Sequence, residues 1–160
     1  MLDDTSQVIP KNMHSDHIDP EIFELIPHRP PMLLIHRIDN VEANRSSAWV
    51  YINESSSFFE SEKGVPSWIA LEYMGQTAAL IAGYQLREGL IGPHLGFLLG
   101  TRSFEATCEY FPLGAKLLVT CEEKALLGNE MATFDCKIYS QSLDGECLAK
   151  ATLSVYRKAQ

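Results

Sequence analysis

Two polar side chains interrupt the apolar stretch 64–84, GVPSWIALEYMGQTAALIAGY: the carboxyl group of Glu72 and the amide of Gln76. Four residues apart on a helix, they share one face. Burial among apolar neighbours penalises a carboxylate's charge, which favours the protonated form and makes such a group a candidate general acid. An amide one turn later can hydrogen-bond that carboxyl and fix its rotamer. Each residue also has an ordinary reading: Glu72 as a carboxylate turned to solvent or paired with an arginine such as Arg102, and Gln76 as a satisfied core amide. His28 is a third group able to move a proton, and the prolines on either side of it, Pro27 and Pro30, restrict where its ring can go. The helix start near Gly64, Val65 and Ser67 offers backbone N–H groups and a positive dipole end for a developing negative charge; Pro66 has no such donor.

The elements that hold these residues follow from periodicity. Asp19 and Pro20 read as an N-cap and first helical residue, and Pro27, Pro30 and Pro31 forbid that helix from continuing. MLLIHRIDNVE and SSAWVYIN read as a hairpin of two strands. The spacing then predicts one long helix, apolar on nearly every face, from Pro66 to Gly89 or Gly92. After it HLGFLLGTRSFEATCEYF, KLLVTCEEKALL, MATFDCKIYSQ and ECLAKATLSVYRK alternate in period two between turn residues. A short helix, two strands, a long helix and four more strands make an α+β chain with about six antiparallel strands. A helix apolar all round has to be wrapped, and a curved antiparallel sheet is the cover available: the hotdog fold. One such layer leaves a sheet edge open, so a dimer through sheet edges is expected. Residues 1–18, with His14 and His17, lack periodicity and are expected to form a flexible arm; residues 19–160 form a single domain.

Bulk properties remove several function classes. The chain has 160 residues, 46% hydrophobic and 21% charged, with no apolar run near the ~20 residues of a membrane span. A net charge of −8 without a basic cluster argues against nucleic acid as a partner. The start, MLDDTSQVIPKN, lacks the basic and apolar regions of a secretory signal, so a cytoplasmic location is expected. Cys108, Cys121, Cys136 and Cys147 form no CxxC pair, and neither a metal site nor a redox motif is expected. Cys121, Cys136 and Cys147 alternate in phase with apolar residues and read as small core side chains.

Residues 26–35, IPHRPPMLLI, are similar to the LPHRxPxLLV segment of the FabA/FabZ-type 3-hydroxyacyl-acyl-carrier-protein dehydratases. Glu72-Tyr73-Met74-Gly75-Gln76 resembles their helix motif ExMAQ, the strand from Phe97 to Gly100 resembles their phenylalanine-and-glycine strand, and FPLGAKL at 111–117 resembles their PGDxL turn. The order and spacing agree over roughly residues 20–156. PHxxPM, VPxW at the helix entry, ExMxQT and GFLLG together resemble the ApeP-like branch, associated with aryl-polyene biosynthesis, more closely still.

The resemblance implies dehydration of a 3-hydroxyacyl thioester, carried by acyl carrier protein or coenzyme A, to the trans-2-enoyl product without metal or organic cofactor. It implies Glu72 as the acid, Gln76 as its support, and the amides near Gly64, Val65 and Ser67 as donors to the thioester oxygen. The loop that carries the base in FabA/FabZ-type enzymes, HFPGxPxxPG, is replaced here by FFESEKGVP, which has no histidine. Of the five histidines His28 is the expected base; the alternative is that it buttresses the short helix. Trp68, Arg102 and Phe97 are expected to meet acyl group or carrier, against the plainer readings of packing and solvation, and Arg29, Arg37, Arg45 and Lys63 to form a basic rim for an acidic carrier. The expected assembly is a homodimer, or a heterodimer with another hotdog subunit. A hotdog thioesterase, a catalytically silent subunit of a heteromeric dehydratase and a thioester-binding module are the alternatives.

Overall fold

The computed structural model describes residues 17–128 and 130–159; His14 and the rest of the expected arm up to residue 16 lie outside the described residues. Asp19 caps α1 (Pro20–Leu25), its carboxylate accepting the Glu21 N–H at 3.0 Å. The other Asp19 oxygen accepts the Ile38 N–H at 3.2 Å, which ties α1 to β1 (Arg37–Val41). β2 (Arg45–Tyr51) completes the expected hairpin. The first strand begins five residues later than its apolar pattern suggests. Pro30 and Pro31 have no N–H for a ladder, and the next polar groups, the Met32 carbonyl and the Leu34 amide, are taken by Gln76 instead of a strand.

β3 (Val65–Pro66) leads through a 3₁₀ turn (Ser67–Ile69) into α2 (Ala70–Arg87). β4 (His94–Ala106), β5 (Tyr110–Phe111), β6 (Lys116–Leu127), β7 (Met131–Ser140) and β8 (Cys147–Ala159) follow. Six strands form one sheet in the order β1-β2-β6-β7-β8-β4, every pairing antiparallel, while β3 and β5 pair separately. This is the α+β arrangement of about six antiparallel strands expected above.

The helix differs from its expectation in length and in cover. With 18 residues it is about 27 Å long at 1.5 Å per residue, and it starts four residues after Pro66. Val65 and Pro66 are held extended by Phe111 and Tyr110, and the Ser67 N–H is bound to the Glu109 carbonyl at 2.8 Å, so the chain turns helical only afterwards. Nor is α2 wrapped all round. Tyr73, Met74, Thr77, Leu80 and Ile81 are buried toward β2, β6 and β7, whereas Leu71, Glu72, Gly75, Ala79 and Ala82 on the other side remain half-exposed. Each large apolar side chain buried here stabilises the fold by roughly 1.5–3 kcal/mol.

Gly83 marks where α1 crosses α2, since a Cβ there would meet the Leu25 carbonyl oxygen at 2.0 Å. Cys121 and Cys136 are buried cross-strand partners, their sulfurs 3.0 Å apart as a thiol hydrogen bond, and the Cys121 thiol also reaches the Met74 carbonyl of α2 at 3.3 Å. Burial pushes the Cys121 thiol pKa well up, so it stays protonated at neutral pH. Cys147 stands at the start of β8 and is only half-buried, unlike the core residue its phase suggests.

Candidate functional site

The amide of Gln76 organises the site. It is fully buried, and its Oε1 accepts the Leu34 N–H at 2.8 Å while its Nε2 donates to the Met32 carbonyl at 2.8 Å and to Glu72 Oε1 at 3.0 Å. One side chain therefore fastens the proline-rich segment to α2 and holds the carboxyl one turn earlier. The two readings of Gln76 are one: it is a satisfied buried amide, and its satisfaction fixes Glu72.

That segment carries His28 to Glu72, with Nε2 4.0 Å from Oε1 and the two side chains 30% and 41% exposed. The histidine's Nδ1 is buried without a hydrogen-bond partner. Burial lowers the His28 pKa below 6.5; the Glu72 carboxylate pulls it up and the neighbouring Arg29 charge pushes it down, and the net effect is a ring that is neutral at pH 7. A neutral imidazole with a free nitrogen lone pair is a competent base. Glu72 is half-open in the single chain, so the apolar enclosure expected from its neighbours is not supplied by its own sheet.

Arg29 is used differently from expectation. It folds back over α1, donating to the carbonyls of Ile26 at 2.9 Å, His28 at 2.8 Å and Phe23 at 3.0 Å, with its guanidinium 4.9 Å from the centre of the Phe23 ring. It is thus a brace for the His28 backbone rather than part of a rim; Arg45 likewise lies beside Glu42 and Glu122. The Ser57 hydroxyl donates to the Pro31 carbonyl at 3.1 Å, a second brace from the loop after β2. Ser57 is the contributor the sequence reading missed, and the bracing role of Arg29 was missed as well. For Arg29 the signal was its place between prolines, where a charged side chain has few ways to reach solvent alone; Ser57 gave none.

The expected donors at the helix start are already engaged. The Gly64 N–H is bound to the Glu60 carbonyl at 3.0 Å and that of Ser67 to Glu109, while Val65 is paired with Phe111 in β3. Gly64 has another reason to be glycine: at φ 112 it passes the Phe111 carbonyl so closely that a Cβ would lie 2.1 Å from its oxygen. Trp68 is well exposed one turn before Glu72, its ring tilted against Phe58 at 6.2 Å. Phe97 and Arg102 are exposed on β4, the far edge of the sheet, roughly 19 Å from β2 by strand spacing. Within one chain they do not join the His28–Glu72 pair. His36 is structural, its Nδ1 accepting the Tyr51 N–H at 3.2 Å. Among the described residues no three His, Cys, Asp or Glu side chains group to hold a metal ion, and no helix is long and apolar enough to cross a membrane.

A helix on a six-stranded antiparallel sheet, with a carboxyl group facing outward from its first turns, defines a hotdog protein. Similar solved structures agree. One chain of the ApeI:P dehydratase heterocomplex from Xenorhabdus doucetiae superposes with a TM-score of 0.77 at 24% identity, covering 87% of this chain and 91% of that one. A hypothetical thioesterase with coenzyme A from Streptococcus pneumoniae gives 0.61 at 16% identity, over 78% and 86%. The family model described as ApeP dehydratase matches residues 20–160, and the chain belongs to this ApeP-like family. It is also similar to the 3-hydroxyacyl-acyl-carrier-protein dehydratase FabZ of Anaeromyxobacter dehalogenans, 34% identical over 84 residues, or 49% of this chain. The FabZ of Paramagnetospirillum magneticum is 35% identical over 82 residues, or 48% of this chain. These matches span about half of the curated relatives' length, 54% and 51%.

Proposed function

We propose that the chain is a subunit of a cytoplasmic hotdog dehydratase that converts a 3-hydroxyacyl thioester, held on acyl carrier protein or coenzyme A, to the trans-2-enoyl thioester and water. The observation that carries this reading is the 4.0 Å separation of His28 Nε2 and Glu72 Oε1. The α-hydrogen and the β-hydroxyl leave from adjacent carbons roughly 1.5 Å apart. Two groups about 4 Å apart can each come within hydrogen-bond reach of one of them from a single side of the substrate. His28 takes the α-proton, the C–H pair forms the double bond, and Glu72 gives its proton to the departing hydroxyl, which leaves as water. The imidazolium then returns its proton to the carboxylate beside it, and the pair is reset. Gln76 donates to Glu72 Oε1, leaving the other carboxyl oxygen to carry the transferable proton.

Enclosure of Glu72 is assigned to a second hotdog subunit, identical or different. The half-open face of α2 and the edge strand β4, with Phe97, Leu98 and Leu99 each about half exposed, support it. One similar solved chain belongs to a dehydratase heterocomplex. Arg102 lies at a register shift of β4; in this reading it meets an anionic carrier arm, and Trp68 walls the acyl group.

One observation favours a thioesterase instead: a half-exposed Glu72 has access to the water that hydrolysis needs. Product analysis separates the two. The protein, alone and mixed with a hotdog partner, is given a 3-hydroxyacyl pantetheine thioester, and enoyl absorbance and free thiol are both followed. Enoyl product that falls by about 10² or more in His28→Ala and in Glu72→Gln supports the proposal; thiol release without enoyl product, or a His28→Ala variant as fast as the parent, overturns it. Activity only in the mixture, unchanged by either substitution, would leave this chain as the silent partner.

A further inference from the structure

The sheet sorts the four cysteines into two cross-strand pairs, although none is near another in sequence. One pair, Cys121 with Cys136, is described above; the other follows from the register of β4 and β8. These strands pair as far as Ala106 opposite Ala149, and one residue further the Thr107 N–H still donates to the Leu148 carbonyl at 2.9 Å. The next step along both strands sets Cys108 opposite Cys147. Thr107 and Leu148 hold a hydrogen-bonded position, so the cysteines fall at a non-hydrogen-bonded one, where Cα atoms stand about 4.5 Å apart. A disulfide spans roughly 4.4–6.8 Å between Cα atoms. Both side chains leave the sheet on one face: Cys108 packs against the core four residues after Phe104, and Cys147 comes two residues before the buried Ala149. Burial, and after it the Glu146 carboxylate, push the Cys108 thiol pKa up. Glu146 directly precedes Cys147, so the Cys108 sulfur lies beside the start of β8.

Both thiols are free and half-buried, open to a small reagent. The Cys147 thiol rests on the Ala149 carbonyl at 3.5 Å, a weak contact that rotation about χ1 gives up. Cys121 and Cys136 are the contrast, since both are sealed under α2 and no reagent reaches them in the folded chain. We propose that Cys108 and Cys147 form a reversible redox site, which closes to a disulfide on meeting a small-molecule disulfide such as oxidised glutathione. One thiolate attacks a glutathione sulfur and releases a glutathione thiolate. The second attacks the protein sulfur of that mixed disulfide and releases the other glutathione. Two protein thiols thus become one disulfide, two electrons pass to the oxidant, and both thiol protons end on the two glutathione molecules set free. The bond fastens the entry of α2, because Glu109, next to Cys108, holds the Ser67 N–H at 2.8 Å and Tyr110 pairs with Pro66.

The test incubates the assembled protein with oxidised glutathione, quenches with acid, and reads intact mass and peptides mapped without reduction. The expected product has lost two hydrogens, yields a linked Cys108–Cys147 peptide pair, keeps Cys121 and Cys136 as thiols, and is restored by dithiothreitol. Closing a loop of about 40 residues restricts the unfolded chain, so Tm is expected to rise by roughly 5–15 °C. The Ser67 amide should also exchange more slowly with deuterium, since the strand that holds it opens less often. In Cys108→Ser and in Cys147→Ser the linked peptides and the rise in Tm both disappear. Glutathione adducts that never resolve to the intramolecular bond, a bond that joins Cys121 to Cys136, or a bond between two chains overturns the proposal. A Cys108–Cys147 bond that leaves Tm and the Ser67 exchange unchanged refutes its hold on α2.

Discussion

Replacing Gln76 by Met removes three hydrogen bonds while nearly preserving side-chain volume, so its effect can be worked out group by group. The Leu34 N–H is buried and loses its acceptor at 2.8 Å; the Met32 carbonyl is partly buried and loses its donor at 2.8 Å. A stranded buried group costs about 1–3 kcal/mol, and the Met32 carbonyl less because water can reach it, which puts the sum at about 2–4 kcal/mol. For a chain of 160 residues this lowers Tm by roughly 5–15 °C. The third lost bond, to Glu72 Oε1 at 3.0 Å, acts on rate instead. A carboxyl group free to swing by an ångström loses up to about 10² in kcat. Differential scanning calorimetry gives the first effect, and enoyl formation at a temperature where both proteins are folded gives the second. An unchanged Tm would refute Gln76 as the clamp of the proline-rich segment. A large drop in Tm with full kcat in the surviving fold would refute its hold on Glu72 while leaving the clamp intact.

With neutral His28 as the proposed base, kcat/KM rises as the ring loses its proton, and burial together with Arg29 holds that pKa below 6.5 against the pull of Glu72; the acid limb of the pH profile is therefore expected below pH 6.5. In Arg29→Met the lost positive charge moves that limb upward, and the three lost carbonyl bonds lower Tm, both readable from one preparation. Gly83→Ala puts a methyl group where the Leu25 carbonyl oxygen lies at 2.0 Å, forcing α1 off α2 at about 1–3 kcal/mol, or roughly 3–10 °C in Tm by circular dichroism. Arg157→Met leaves the buried Glu123 carboxylate with only the Gln85 amide at 3.3 Å and without its charged partner at 3.2 Å, which costs about 3–5 kcal/mol in urea unfolding. Adding Glu123→Gln to that variant returns part of the loss.

What was legible in the sequence was whatever is written in local period and cap chemistry. Asp19 and Pro20 marked α1, alternation marked β4 and β6 to β8, and the four-residue spacing of Glu72 and Gln76 put both on one face, where their side chains do meet. What was not legible depends on partners distant along the chain. Val65 and Pro66 belong to a strand only because Tyr110 and Phe111 arrive on the other side of α2. Residues 32–36 look like a strand, but the Met32 carbonyl and the Leu34 N–H go to Gln76, and the Met32 and Leu33 N–H groups to the Arg29 carbonyl. The same distance effect spoiled the donor predicted at Ser67, which Glu109 engages, whereas Gly64 gives its N–H to Glu60 in a local turn. His28 could be singled out by type and by its stiff surroundings, but its 4.0 Å approach to Glu72 exists only after Arg29 and Ser57 have braced the loop.

The cysteines give this chain a built-in clock for opening. Cys121 and Cys136 sit face to face beneath α2 and are out of reach of an aqueous reagent, whereas Cys108 and Cys147 are partly accessible. Under pulse labelling with a thiol-reactive dye, two sites should react from the folded ensemble and two only when the helix lifts from the sheet. Mass spectrometry of the doubly and quadruply modified chains would then time that lifting directly, with no engineered probe, and a bound acyl thioester that rests against α2 should lengthen the interval between them.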